Sequence, residues 1–376
     1  MKKIEAKIVA DSINQQGDRI TTYLLTFPRF ILAELNTHRV FSKNSASSRA
    51  IPFEKMVKMV QEDPFIPIAW QKHHKGMQGS EYMMEDDVFS NIKEWLQARD
   101  FAIRQATYLY ERGVTKQLCN RLLEPWMWTT VLLTATEFKN FFELRCPQYE
   151  YYDMLTGNQQ FFKSKKDWLQ YYNNKPLPKA KHISKIPEND VEWLQINNSQ
   201  AEIHMQALAE AMWDAYNEAT PKKLEAGEWH IPFRDSVNDG KAAQAQSPNT
   251  ALGLVGLTLN DVRIKIATAR CARLSYMTFD GIIDYEKDIK LHDSLLESHH
   301  MSPFEHCARA MSDEEYYQSY KGNDLFSMPQ YNKEDIIESY LIETSVDKED
   351  ESFGWCRNFK GFIPYRYMIE NEKKKS

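Results

Sequence analysis

An apolar run, FPRFILAEL at positions 27–35, leads almost directly into THRVFSKNSASSR at positions 37–49. The first part repeats its apolar residues at helical spacing and has a face to bury. The second part packs two guanidiniums, a histidine and a cluster of hydroxyls into thirteen positions. This junction sets a dense group of polar donors at the end of a structural element. Arginine offers several fixed donors to a phosphate, and serine hydroxyls and loop amides add neutral ones. The segment therefore reads as an anion cradle. A solvated basic loop has the same local chemistry, so both readings stay open at this point.

Composition narrows the classes. A chain of 376 residues allows one large domain or two ordinary ones, and 42% hydrophobic with 12% aromatic residues is ample for a packed core. The net charge of −6 argues against general nucleic-acid binding but not against a locally basic pocket. Cysteines 119, 146, 271, 307 and 356 form no C-x-x-C pair, which points to reduced, mostly buried thiols and a cytoplasmic protein. The start, MKKIEAKIVADS, has the charges of a signal peptide without its apolar core. No segment approaches about eighteen uninterrupted apolar residues, so no membrane span is expected. His299, His300 and His306 match common zinc spacing poorly, and no metal site is expected.

Along the chain, KIEAKIVADS and RITTYLLTFP around NQQGD predict a β-hairpin with Gly17 at the bend. Helical patterns cover PRFILAELNTHR, IPFEKMVKMVQ after Ala50, residues 86–112 with Gly113 as the stop, and VTKQLCNRLL. WMWTTVLLTA predicts a strand, followed by a helix from about Thr136 to Leu144. Further helices are expected at 201–217, 259–273 and 284–299, with a strand from about 303. Residues 219–250 lack periodicity and read as a long loop, and the terminal EKKKS reads as a solvated tail. There is no internal repeat and no second domain in the pattern.

Six short blocks together resemble the flavin-dependent thymidylate synthases (ThyX). THRVFSKNSASSR is similar to the RHR-x7-S signature, with His38, Arg39 and Ser47 in register. NRLLEP around Arg121, ATEFKNFFELR ending at Arg145, and AEIHMQALAEAM at 201–212 are similar to three more blocks. ARCARLSY at 269–276 and SPFEH at 302–306 complete the set. The resemblance touches the chain from about residue 20 to residue 310. In compact members the last two blocks precede the RHR block, so this chain resembles a permuted version. Such an order is tolerated where chain ends lie close together at the surface.

The resemblance implies an α+β fold, an antiparallel sheet with flanking helices, in a single domain spanning 1–376. Compact members lack most of residues 146–197, an insertion here, and have no counterpart of the C-terminal extension at 320–376. The implied reaction is reductive C5-methylation of dUMP to dTMP, with methylenetetrahydrofolate and NADPH as co-substrates and FAD as cofactor. A homotetramer is implied as well. The implied dUMP-binding residues are Glu34, Thr37, Ser45, Ser47, Ser48, Arg49, Arg121 and Arg145. The implied FAD residues are His38, Arg39, Thr134, Thr136, Asn140, His300 and Ser302.

Arg145 is the implied catalytic residue, favouring ionisation of the pyrimidine N3, since a fixed cation stabilises the anion left by an acidic N–H. The ring then attacks through C5 without a cysteine nucleophile, and no cysteine here lies in a nucleophile motif. The plainer reading of Arg145 is a helix-end arginine meeting the last carbonyls. For Arg49 and Arg121 the plainer reading is a surface salt bridge.

Five departures bear on flavin affinity and substrate choice. Thr37 replaces the first arginine of RHR, and Glu34 and Ser45 stand where Gln and Glu are common. Thr134 and Thr136 replace an Asn and an Arg that face the flavin. Two other functions stay open: a sister enzyme making a different 5-substituted pyrimidine, such as a hydroxymethyl derivative, and a nucleotide-binding protein without catalysis.

Overall fold

The computed structural model describes residues 2–75, 79–153, 156–174, 186–245, 257–276, 284–319 and 353–375. The fold is mixed α+β. Its central sheet is built from β1 (Glu5–Ile13), β2 (Arg19–Pro28), β3 (Ser42–Ser45) and β4 (Trp128–Ala135). The order is β3-β4-β2-β1, with the two-residue strand Lys222–Lys223 added parallel to β1 and every other pairing antiparallel. The β1–β2 hairpin turns at Gly17, whose φ of 92° is a conformation that glycine adopts without a Cβ penalty.

Both sheet faces are covered, and side-chain alternation decides what covers each. Tyr23, Leu25 and Phe27 of β2, with Val131 and Leu133 of β4, pack against Phe138, Phe141 and Phe142 and against Met205, Leu208 and Met212. Those side chains come from the helices Lys139–Arg145 and Ile203–Glu218 and from the residue before the first. On the opposite face Leu24 and Leu132 meet Ala46, Cys271 and Leu274. A strand buried on both faces loses strict polar alternation, and the middle of WTTVLLTA is the continuous apolar run Val131–Leu133.

The described parts of residues 146–197, expected as an insertion, pack together beside this core. The hairpin Tyr149–Tyr152 with Gln159–Phe162 and the helices Lys165–Asn174 and Asp190–Gln195 enclose Tyr149, Tyr151, Trp168 and Trp193. The unit docks on the helix Ile203–Glu218. Tyr149 Oη donates to Glu210 at 3.0 Å, the Lys165 amide donates to Glu210 at 2.7 Å, and Trp213 Nε1 donates to Asp167 at 2.7 Å. Trp168 is buried, with rings of Tyr151, Tyr172 and Trp193 around it. Trp168→Ala is expected to cost about 3–5 kcal/mol in denaturant unfolding. A loss below about 1 kcal/mol would mean that this aromatic cluster does not support the insertion.

Several sequence expectations need correction. The helix expected from Thr136 begins at Lys139. The pattern in VTKQLCNRLL yields four α-helical residues and then a 3-10 helix, Asn120–Trp126, that contains Pro125; proline has no N–H for an α-helical bond. Residues 219–250 are not one loop. They hold Lys222–Lys223, the strand Trp229–His230, a 3-10 turn at Arg234–Ser236 and the helix Asp239–Ala245, with 246–250 outside the described residues. The strand expected from 303 is Ala308–Ala310, preceded by the 3-10 turn Ser302–Glu305. The terminal lysines are not a tail in backbone terms, because the helix Tyr365–Lys375 runs through them. Before that helix, Phe362–Pro364 pairs with Ala308–Ala310, which pairs in turn with Trp229–His230. Residues 320–352 of the extension lie outside the described residues.

Candidate functional site

Three groups of side chains gather around β3. At its start, the short helix Leu32–Asn36 and the C-terminus of the helix Lys139–Arg145 meet. Arg145 Nε donates to His38 Nε2 at 3.1 Å, and its Nη1 lies 3.8 Å from Glu34. An arginine nitrogen only donates, so His38 Nε2 accepts and the imidazole is neutral. Burial, then the charges of Arg145 and Lys43, hold the His38 pKa down to about 4. Burial and the nearby Glu202 raise the Glu34 carboxyl, with Arg145 opposing them. His38 also stacks on Phe41 and meets the edge of Phe141. The guanidinium is thus fixed from two sides while 23% of the side chain stays exposed.

Past the end of β3, Ser48 and Arg121 converge on Glu124. Ser48 Oγ donates to Glu124 Oε1, and Arg121 Nη1 and Arg29 Nε each lie 3.1 Å from the same oxygen. Asn120 braces the turn by donating to the carbonyl oxygens of Ser48 and Ile51. Arg49 is exposed, and half of the Arg121 side chain is exposed. Ser47 and Ser45 are partly buried, Ser45 within β3. The two guanidiniums that share one carboxylate leave this end positive. A four-residue strand separates it from Arg145 and His38, on the order of 10 Å at about 3.3 Å per residue.

The third group is internal. Thr134 Oγ1 bonds to Thr22 Oγ1 at 2.7 Å and to His306 Nδ1 at 2.8 Å; Thr22 bonds to His230 Nε2 at 2.8 Å, and Ser12 bonds to His230 Nδ1 at 3.0 Å. All five residues are buried. Among the described residues, His306 Nε2 has no hydrogen-bond partner. Burial lowers the pKa of both histidines to about 3.

Of the residues expected to face the cofactor, Thr134 is therefore sealed inside the protein, with its hydroxyl committed to Thr22 and His306. Thr136 Oγ1 accepts from the Lys360 amide at 2.9 Å. Arg39, Asn140, His300 and Ser302 are exposed. Ser302 Oγ donates to Asn44 at 3.4 Å, so SPFEH lies against β3 despite a separation of 258 positions. Thr37, expected at the nucleotide, turns its hydroxyl back to the Glu34 carbonyl at 2.7 Å, a common alternative for threonine at a helix end.

Sequence reasoning missed Glu124 and Lys43. Glu124 follows Arg121 within NRLLEP, but nothing in the sequence signals that Ser48 reaches it. Lys43 Nζ donates to the carbonyls of His38 at 2.8 Å and Leu35 at 3.2 Å, and burial lowers its pKa to about 8. Two cavities lie elsewhere, along the N-terminal turn of the helix Ile203–Glu218. A third, of about 290 Å³, borders β3 at Ser42.

No family model matches the chain, and no curated protein matches it. Among solved structures, it is similar to the UMP/dUMP methylase PolB from Streptomyces cacaoi. With 5-Br dUMP bound, the TM-score is 0.34 at 15% identity, over 53% of this chain and 66% of that one. With 5-Br UMP bound, the TM-score is 0.32 at 17% identity, over 39% of this chain and 78% of that one. A likeness this faint carries no argument about this chain's chemistry.

Proposed function

We propose that the chain is a flavin-dependent thymidylate synthase. In this reaction dUMP, methylenetetrahydrofolate, NADPH and a proton yield dTMP, tetrahydrofolate and NADP⁺. The observation that carries the reading is Arg145, held by His38 and Glu34 at one end of β3, with Ser48 and Arg121 gathered at the other. Such a pair of sites suits a pyrimidine nucleotide, with the base at the first and the phosphate at the second.

A guanidinium fixed beside uracil favours loss of the N3 proton, because it stabilises the anion left behind. Neutral cytosine has no proton there, so dUMP is preferred to dCMP. His38, kept neutral, accepts from Arg145 and orients it without competing for charge. The N3 anion makes C5 electron-rich, so the methylene carbon is attacked without an enzyme nucleophile. The cysteines suit this: all five are buried, and burial pushes the Cys146, Cys271 and Cys307 thiols up, away from the reactive thiolate.

The donor set suits the charged part of a flavin dinucleotide: Arg39, Asn140, His300 and Ser302 are exposed, and a diphosphate needs such donors. FAD, when bound, carries reducing equivalents from NADPH. Assembly as a homotetramer belongs to the same reading. The hydroxymethylating sister reaction differs only in whether hydride or water reaches the exocyclic methylene. The binding-only alternative draws on one observation, the closure of Thr134 away from any ligand.

Titration with FAD, followed by its visible spectrum, and with dUMP, followed by calorimetry, tests the proposal. Saturable responses to both are expected, and silence in both contradicts it. Arg121→Ala should weaken dUMP binding about tenfold, the low end for a charge-assisted bond, since the side chain is half exposed. Unchanged affinity would remove Arg121 from the phosphate end.

A further inference from the structure

Residues of the C-terminal segment reach the candidate cofactor residues from outside the six matching blocks. Asn358 Nδ2 donates to the Arg39 carbonyl at 3.5 Å, and the Lys360 amide donates to Thr136 Oγ1 at 2.9 Å. Arg366 pairs with Glu305, within the turn that begins at Ser302. Between these contacts lies the cavity of about 290 Å³, whose lining includes Ser42, Glu305, Arg357, Asn358, Arg366 and Glu370.

The charges in this cavity are not equivalent. Arg366 engages both carboxylates, Glu305 through Nη1 and Glu370 through Nε at 2.7 Å. Arg357 stands 4.0 Å from Glu370, at the limit of an ion pair, and 59% of its side chain is exposed. Its guanidinium lies 5.1 Å from the centre of the Tyr367 ring, which supports the side chain without neutralising it. The Arg357 backbone has φ 58°, an uncommon left-handed conformation for a residue with a Cβ, which the surrounding turn must impose.

We infer that residues 353–370 complete the dinucleotide-binding wall, and that Arg357 supplies a guanidinium to the diphosphate. This rests on the reading of the site as one for FAD. The carboxylates alongside suit the hydroxyl donors of a ribose, so the wall fits a nucleotide better than a bare anion.

FAD and riboflavin titrations of the full chain, followed by flavin fluorescence, test the inference on wild type, Arg357→Asn and Arg357→Lys. Asparagine tolerates the left-handed backbone, so the fold should survive, and thermal melting checks that it does. Arg357→Asn is expected to weaken FAD binding about tenfold, Arg357→Lys less, and riboflavin, which lacks the phosphates, should bind all three alike. Wild-type FAD binding that Arg357→Asn leaves unchanged would overturn the inference and leave the FAD reading intact. No FAD binding by wild type would overturn both.

Discussion

Arg145→Lys is expected to lower turnover of dUMP by about a hundredfold at saturating nucleotide, the scale seen when a donor to developing charge is lost. Charge is conserved in this substitution, so the loss isolates geometry. The Nε donor to His38 disappears, and an ammonium cannot bond to His38, approach Glu34 and face a pyrimidine in the fixed plane that a guanidinium holds. KM for dUMP should rise far less than kcat falls, because the phosphate end at Ser48 and Arg121 is untouched. Steady-state kinetics with dUMP varied at saturating co-substrates reads the split. Turnover like that of wild type would remove the N3-ionisation role and leave Arg145 as a helix-end cation.

The second large effect is on stability in acid. His230 and His306 are fully buried, with pKa values lowered to about 3 by that burial, whereas an unfolded histidine titrates near 6.5. Between those values the unfolded chain binds protons that the folded chain refuses. Stability is therefore intact above about pH 6.5 and is lost as pH falls from there towards 3. Each histidine contributes a slope of up to about 1.4 kcal/mol per pH unit, so the pair removes on the order of 3 kcal/mol per unit from a total of roughly 5–15 kcal/mol. The hydrogen bonds fix where a further proton would have to go. In a consistent arrangement His306 Nδ1–H donates to Thr134, Thr134 to Thr22, Thr22 to His230 Nε2, and His230 Nδ1–H to Ser12. A proton on His306 Nε2 would be a buried N–H with no acceptor among the described residues. Urea midpoints should fall steeply from pH 6.5 to 5, and less steeply in His306→Asn. Equal slopes in the two proteins would exclude His306 as a source.

The central layers were legible in the sequence. Two strand-like runs around a turn at Gly17 gave away the β1–β2 hairpin, and the apolar and β-branched residues of WTTVLLTA gave away a strand. Helical spacing in AEIHMQALAEAM marked the helix that covers the sheet. SPFEH was legible as a block of the resemblance, and its Ser302 meets Asn44 of β3.

What stayed hidden depends on pairing across distance. Thr134 sits on an apolar strand whether it faces a ligand or Thr22, and sequence does not distinguish the two. Glu124 gathers Ser48 from 76 positions away. The strands at 222–223 and 229–230 are too short to carry a period and exist because neighbours pair with them. The same holds for 362–364, which pairs with Ala308–Ala310 in a separate three-stranded sheet.

The most direct test is the mass of the nucleotide after anaerobic incubation of the purified protein with dUMP, methylenetetrahydrofolate and reduced FAD. The account predicts conversion to dTMP, with dCMP left unchanged in a parallel reaction. Conversion of dCMP but not dUMP, a hydroxymethyl product from dUMP, or recovery of unaltered dUMP from protein shown to bind both FAD and dUMP, would contradict it.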